Sequence, residues 1–124
     1  MDEDTLISLV IARSQRSRYR RLLSAPKKRM RLLDNLNHTP PLDSRWTAWY
    51  PSFTKALQHV TVQATTRVYL LSADADLDGQ SMNFNEAIEA VPAAGWSTII
   101  GISPLSAVYY GEEGERAAVI KKRT

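Results

Sequence analysis

The feature that most constrains the fold is the proline pair Pro40 and Pro41. Proline has no backbone N–H and a locked φ angle, so a helix cannot continue through these positions. The length of 124 residues is that of a single domain with one core. The prolines predict that this domain, 1–124, divides into a helical pair (1–37), a Pro- and Trp-containing linker (38–51) and an α+β body (52–124).

The charge pattern follows the same division. Between Asp4 and Asp34 there are nine basic residues and no acidic one, although the whole chain has a formal charge of only +3. The rest of the chain is therefore net acidic. This asymmetry predicts a basic helical pair attached to a mildly acidic body.

Two helices are predicted in the basic part. The first begins near Asp4 or Thr5 and ends near Leu23, and its acidic first turn suits the positive end of the helix dipole. Arg18 falls in the apolar stripe of this helix, so its guanidinium is expected to be paired in an interface or its stem to lie along apolar surface. The second helix covers 25–37, with a proline in its first turn.

The body predicts two further helices and about four strands. Ser52 caps a short helix near 53–61, and Asn83 with Glu86 forms a capping box before a helix at 84–91. Runs of strand-forming residues separated by turn signals predict strands at 68–71, 96–102, 107–110 and 116–120. The order is β-α-β-β-β, in which the helix at 84–91 connects two strands of a small mixed sheet and covers one of its faces. The predicted fold class is therefore α+β.

Composition excludes several functional classes. The chain has no cysteine, which excludes disulfides and cysteine-based catalysis or metal binding. The longest apolar run near the start, 6–12, is too short to span a membrane and has the wrong flanking charges for a secretory signal. We expect a cytoplasmic protein without a membrane span.

The basic run is the main candidate site. Nine cations within 19 residues resemble the electrostatic footprint of a protein that binds the phosphate backbone of RNA or DNA. The predicted contacts are Arg13, Arg16, Arg20, Arg21, Lys27, Lys28 and Arg31. The sequence leaves open an alternative, in which the helices form a protein-interaction or self-assembling module. That module would bury Ile7, Ile11, Leu22 and Leu33 against a second copy or an acidic partner.

A second candidate is the acidic loop Asp74, Asp76 and Asp78. With Gly79 it matches the first half of a calcium-binding loop, but the position that needs a glutamate holds Asn85. The pattern favours a polar turn over a metal site, and no cofactor is assigned.

The remaining candidates give no support for catalysis. His38 and His59 are expected at the surface, and no serine lies in a nucleophile elbow. Trp46, Trp49 and Tyr50 could form a stacking platform for bases or a hot spot for a protein partner. The favoured interpretation is that the two tryptophans fill the join between helices and sheet. The sequence thus predicts a small, non-enzymatic binding protein.

Overall fold

The structure is a computed structural model that describes residues 1–123, and its centre is a six-stranded antiparallel sheet. The strands are β1 (Thr47–Tyr50), β2 (Arg67–Ser72), β3 (Ser81–Asn83), β4 (Thr98–Ser103), β5 (Ser106–Tyr110) and β6 (Ala117–Lys121). Their order across the sheet is β1-β6-β5-β4-β2-β3, and every neighbouring pair is antiparallel.

Five α-helices cover the two faces of this sheet within the described residues. They are α1 (Glu3–Val10), α2 (Arg16–Leu23), α3 (Pro26–Leu33), α4 (Phe53–Leu57) and α5 (Phe84–Ala94). The buried residues of α1, α2 and α3 pack against one face, and those of α4 and α5 pack against the other. The fold is α+β, as the sequence predicts.

Alternation along the strands explains why both faces are covered. In β6, Ala118 and Ile120 join the core beneath α1–α3, whereas Ala117 and Val119 join the core beneath α4 and α5. Successive side chains of a strand point to opposite faces, so a strand with apolar residues on both faces needs a layer on each side. The N-terminal helices provide the second layer.

The first predicted helix, 4–23, is wrong as a single element. The structure divides it into α1 and α2, because Ile11 and Ala12 are extended and Ile11 forms an isolated bridge with Leu42. The amide of Asp43 donates to the carbonyl of Val10 (2.8 Å), and Ala12 donates to the carbonyl of Pro41 (2.7 Å). Partners brought from 41–43 therefore replace helical hydrogen bonds, although the break contains no proline or glycine.

The other helix boundaries follow local sequence signals more closely. α3 begins at Pro26, and the chain continues beyond it as a 3₁₀ helix through Asn37. Ser52 accepts a hydrogen bond from the amide of Lys55 (3.2 Å) at the start of α4, as predicted, but α4 ends at Leu57 rather than 61. The capping box at Asn83 is confirmed, and α5 extends past 91 to Ala94 before Gly95 adopts a left-handed conformation.

The predicted small sheet of about four strands is present in outline, but it has six strands and is antiparallel rather than mixed. Two short strands at the sheet edges, β1 and β3, are absent from the predicted set. β3 pairs with β2 as a hairpin arm after the chain reverses near Gly79 (φ 78°), so α5 leaves from β3 and not from β2. β3 and β4 then flank β2 and both run antiparallel to it.

No helix within 1–123 is long and apolar enough to cross a membrane.

Candidate functional site

The basic run divides into cations that hold the fold together and cations that face solvent. Arg29 is the clearest member of the first group. Its guanidinium donates to both oxygens of Asp78 (2.7 and 3.2 Å) and to both oxygens of Glu3 (3.0 and 2.5 Å). These bonds join α3 to α1 and to the loop between β2 and β3. Arg29 is therefore a structural residue of the helical layer.

The same cluster includes Tyr69, whose hydroxyl donates to Glu3 (2.7 Å). Burial alone would raise the pKa of Glu3, but the hydrogen bonds from Arg29 and Tyr69 outweigh it and hold that pKa below its usual value. Burial, together with the adjacent Glu3 carboxylate, raises the pKa of Tyr69 to about 12. The hydrogen bonds to Glu3, followed by those to Asp78, raise the pKa of Arg29. At neutral pH the Glu3 carboxylate is therefore charged beside the Arg29 cation.

Arg16 and Arg20 also donate to carboxylates. Arg16 donates to Asp43 (3.2 Å) and to the carbonyl of Ile11 (2.9 Å), so it supports the break between α1 and α2. Arg20 donates to Asp4 on α1 (2.5 Å) in a more exposed pair. Both belong to the predicted nucleic-acid contacts, but the structure places their guanidinium groups against the protein itself.

Six other cations of the run are exposed and form no ion pair within the described residues. They are Arg13, Arg18, Arg21, Lys27, Lys28 and Arg31. Five of them are predicted contacts, and Arg18 is not. The exposed cations therefore lie mainly on the outer side of α2 and α3.

Three of these cations meet in a groove between α2 and α3. The groove has a volume of about 360 Å³ and is lined by Arg18, Leu22, Lys28, Arg31, Leu32 and Asn35. An adjoining hollow of about 290 Å³ shares Arg18 and Asn35 with it. Among the described residues, none that lines either depression is acidic. We call the first depression the α2–α3 groove.

Sequence spacing explains the groove and could have identified Arg18. Arg18 and Leu22 are four residues apart, which places them on one face of α2. Lys28, Arg31 and Leu32 follow the same spacing on α3. Arg18 thus lies beside the apolar surface of Leu22 and Leu32, which is one of the two arrangements expected for it, and its side chain is exposed.

The same spacing signals that Arg29 is different from its neighbours. Arg29 precedes Leu33 by four residues and Leu36 by seven, and both leucines are fully buried. A cation on the buried stripe of a helix needs a partner, because an unpaired charge is costly to remove from water. The sequence does not show that the partners are Glu3 and Asp78, which lie 26 and 49 residues away.

Two carboxylates of the acidic loop, those of Asp74 and Asp78, accept hydrogen bonds from other groups of the protein. Asp78 binds Arg29 and also accepts from the amide of Ser72 (3.2 Å). Asp74 accepts from the amides of Asp76 (2.8 Å) and Leu77 (3.2 Å), which is a turn geometry. Among residues 1–123, no three His, Cys, Asp or Glu side chains are grouped closely enough to hold a metal ion together.

The tryptophans have different environments. Trp46 is partly buried and packs against the core beneath α1–α3, with the Arg45 guanidinium 5.0 Å from its ring centre. Trp49, on β1, is 46% exposed and lies edge-on to Tyr109, with Arg116 at 4.5 Å from its ring centre. Trp46 therefore contributes to the join between helices and sheet, and Trp49 lies at the surface.

The residues of the predicted self-assembly surface are mostly in the core. Ile7, Ile11 and Leu33 are buried beneath the helical layer, against the chain's own sheet. Leu22 is half-buried in the α2–α3 groove. A second chain that contacted these helices would therefore meet their cationic outer side.

Comparison with known proteins adds no identity to this site. No protein-family model matches the chain, and no curated protein matches it at a significant level. The site is therefore interpreted from its own geometry.

Proposed function

We propose that the chain is a non-enzymatic binding protein whose α2–α3 groove contacts the phosphate backbone of RNA or DNA. The observation that carries this proposal is the convergence of Arg18, Lys28 and Arg31 on one groove, in which none of the described lining residues is acidic. Cations without carboxylate partners are free to replace the counterions of a polyanion. Arg13, Arg21 and Lys27 extend the positive surface on the same part of the chain.

The distribution of ion pairs supports the exposed cations, rather than the other cations of the basic run, as the binding surface. Arg16, Arg20 and Arg29 each have a carboxylate within 3.2 Å, which reduces the charge that they offer to a ligand. In this proposal they hold α1, α2 and α3 in place, and the exposed cations bind. The division gives each arginine a separate and testable role.

The groove favours backbone contacts over base recognition. Its apolar lining residues are Leu22 and Leu32, and none of the described residues that line it is aromatic. Lysine and arginine contacts to phosphate position a nucleic acid but do not read its sequence. We therefore expect binding that depends strongly on salt and weakly on sequence.

The test compares two double variants with the same net charge. Lys28→Gln/Arg31→Gln removes two groove cations, whereas Lys55→Gln/Arg67→Gln removes two exposed cations outside the groove. Binding to a fluorescently labelled RNA hairpin and to a DNA duplex is measured by anisotropy between about 50 and 200 mM salt.

Each phosphate contact contributes about 0.9 to the slope of log affinity against log salt on duplex DNA, so the groove variant should lower that slope by about 1.8. The control variant should retain the slope of the wild-type protein. Equal losses of affinity in the two variants would show that only net charge matters and would refute the groove as the binding site. A dimer that ignores nucleic acid at low salt would favour the protein-interaction module instead.

A further inference from the structure

A third depression lies at the edge of the sheet formed by β1 and β6. It has a volume of about 570 Å³. Ala48 and Tyr50 of β1 and Val119 and Lys121 of β6 lie on the same face of the sheet, because Ala48 pairs with Val119 and Tyr50 with Ala117. His59, just after α4, closes one side. We call this depression the β1–β6 hollow.

The hollow is lined by cations, and none of its lining residues within 1–123 is acidic. The cations are Arg45, Lys121, Lys122 and Arg123. Arg45 also binds Asp43 (2.7 Å), so part of its charge is neutralised, but Lys121 and Lys122 are exposed and form no ion pair within 1–123. The lining is therefore complementary to an anionic ligand.

Aromatic rings distinguish this hollow from the α2–α3 groove. Tyr50 and His59 are stacked, with ring centres 4.5 Å apart and planes inclined by 23°. His59 is exposed, so its ring can extend the stack to a third planar group. Trp46, with Arg45 over its ring, lines the same hollow. Stacked rings beside cations are the combination that binds a base together with its phosphate.

We propose that the β1–β6 hollow binds a nucleotide, with the base stacked on the Tyr50–His59 pair and the phosphate beside Lys121 and Lys122. The same chemistry is offered by a free mononucleotide and by a residue of a single strand. The single-strand source rests on the function proposed above, whereas the mononucleotide source does not. The hollow thus adds base stacking to a chain whose groove offers only charge.

The experiment is a titration of the isotopically labelled full chain followed by backbone amide chemical shifts. The probes are 5′-AMP, ribose 5-phosphate, which has the phosphate but no base, and a short single-stranded oligoadenylate. We expect AMP to shift amides of β1, β6 and the segment around His59, and ribose 5-phosphate to bind more weakly. Tighter binding of oligoadenylate than of AMP would identify a strand as the source, and equal or weaker binding would identify the free nucleotide.

The test variant is His59→Ala/Lys121→Gln, in which both changed residues are exposed. The control is Gln58→Ala/Lys55→Gln, which makes the same changes of charge and a similar change of size at exposed positions outside the hollow. Loss of one stacking ring and one phosphate contact should weaken AMP binding at least about fivefold. The control should bind as the wild-type protein does, and the spectra report whether each variant is folded.

Three results would overturn the proposal: AMP leaves the amides of the hollow unshifted at millimolar concentration, ribose 5-phosphate binds as well as AMP, or the test and control variants bind equally. The groove variant Lys28→Gln/Arg31→Gln separates the two proposals. It should leave AMP binding unchanged, and an equal loss would place the nucleotide in the groove and refute the hollow. If the wild-type protein does not bind the duplex but binds AMP, the proposed function is refuted and the nucleotide site in the hollow is supported.

Discussion

Arg29 and Arg31 are two residues apart on the same helix, and replacing each by methionine should have very different effects on stability. Methionine retains most of the apolar stem and removes the charge. Arg29 is 20% exposed and donates four hydrogen bonds to two carboxylates, whereas Arg31 is exposed and forms no ion pair within the described residues. The pair is therefore a matched comparison of a structural and a free cation.

The expected magnitude follows from what Arg29→Met leaves behind. Asp78 is only 7% exposed and would keep a single hydrogen bond, from the amide of Ser72. Removing one partner of a buried ion pair costs about 3–5 kcal/mol, because the other charge stays buried without compensation. Glu3 is 27% exposed and keeps Tyr69, so part of its solvation is recovered. We expect a loss of about 3 kcal/mol, near the lower end.

Urea denaturation followed by tryptophan fluorescence measures this loss. With a denaturant slope of about 1.5 kcal/mol per M, the midpoint for Arg29→Met should fall by about 2 M. Arg31→Met should change the free energy of unfolding by less than about 0.5 kcal/mol. The double variant Arg29→Met/Asp78→Asn should cost about 1–3 kcal/mol less than the sum of its two single variants. Equal midpoints for Arg29→Met and Arg31→Met would refute the division of the basic run.

Three further predictions concern other parts of the fold. Ser52→Ala removes the cap of α4 and should lower the free energy of unfolding by about 1 kcal/mol in urea denaturation, and an unchanged midpoint would contradict the cap. Gly111→Ala would place a Cβ 2.6 Å from the backbone oxygen of Arg116, so the melting temperature should fall by an amount equivalent to at least about 1–3 kcal/mol. The pKa values of Glu3 and Asp43 are lowered in the folded state, so the unfolded chain takes up protons first on acidification. The stability that they contribute is present above about pH 4.3 and should be lost as pH falls through their folded pKa values. In Glu3→Gln the free energy of unfolding should fall less steeply with acidification, as measured by urea unfolding at several pH values.

The sequence predicts the elements whose signals are local. The Ser52 cap, the capping box at Asn83 and the apolar runs of the three strands β4, β5 and β6 need only neighbours within a few residues. β1 and β3 were missed because they are short edge strands of four and three residues, without an alternating pattern. A strand of this length is specified by the neighbour with which it pairs. The break at Ile11 has the same origin, since its replacement hydrogen bonds come from 41–43.

The sequence by itself determined that a basic run lies on amphipathic helices and that an apolar strand region follows. Only the tertiary structure decided which cations are free. Arg29 meets Asp78 because α3 packs beside the β2–β3 loop, and Arg16 meets Asp43 because the chain returns after the proline pair. An ion pair requires atoms within about 4 Å, and residues 27 or 49 positions apart reach that distance only when the layers pack. Of the nine cations in the basic run, three thus hold the helices in place through ion pairs and six face solvent without one among the described residues.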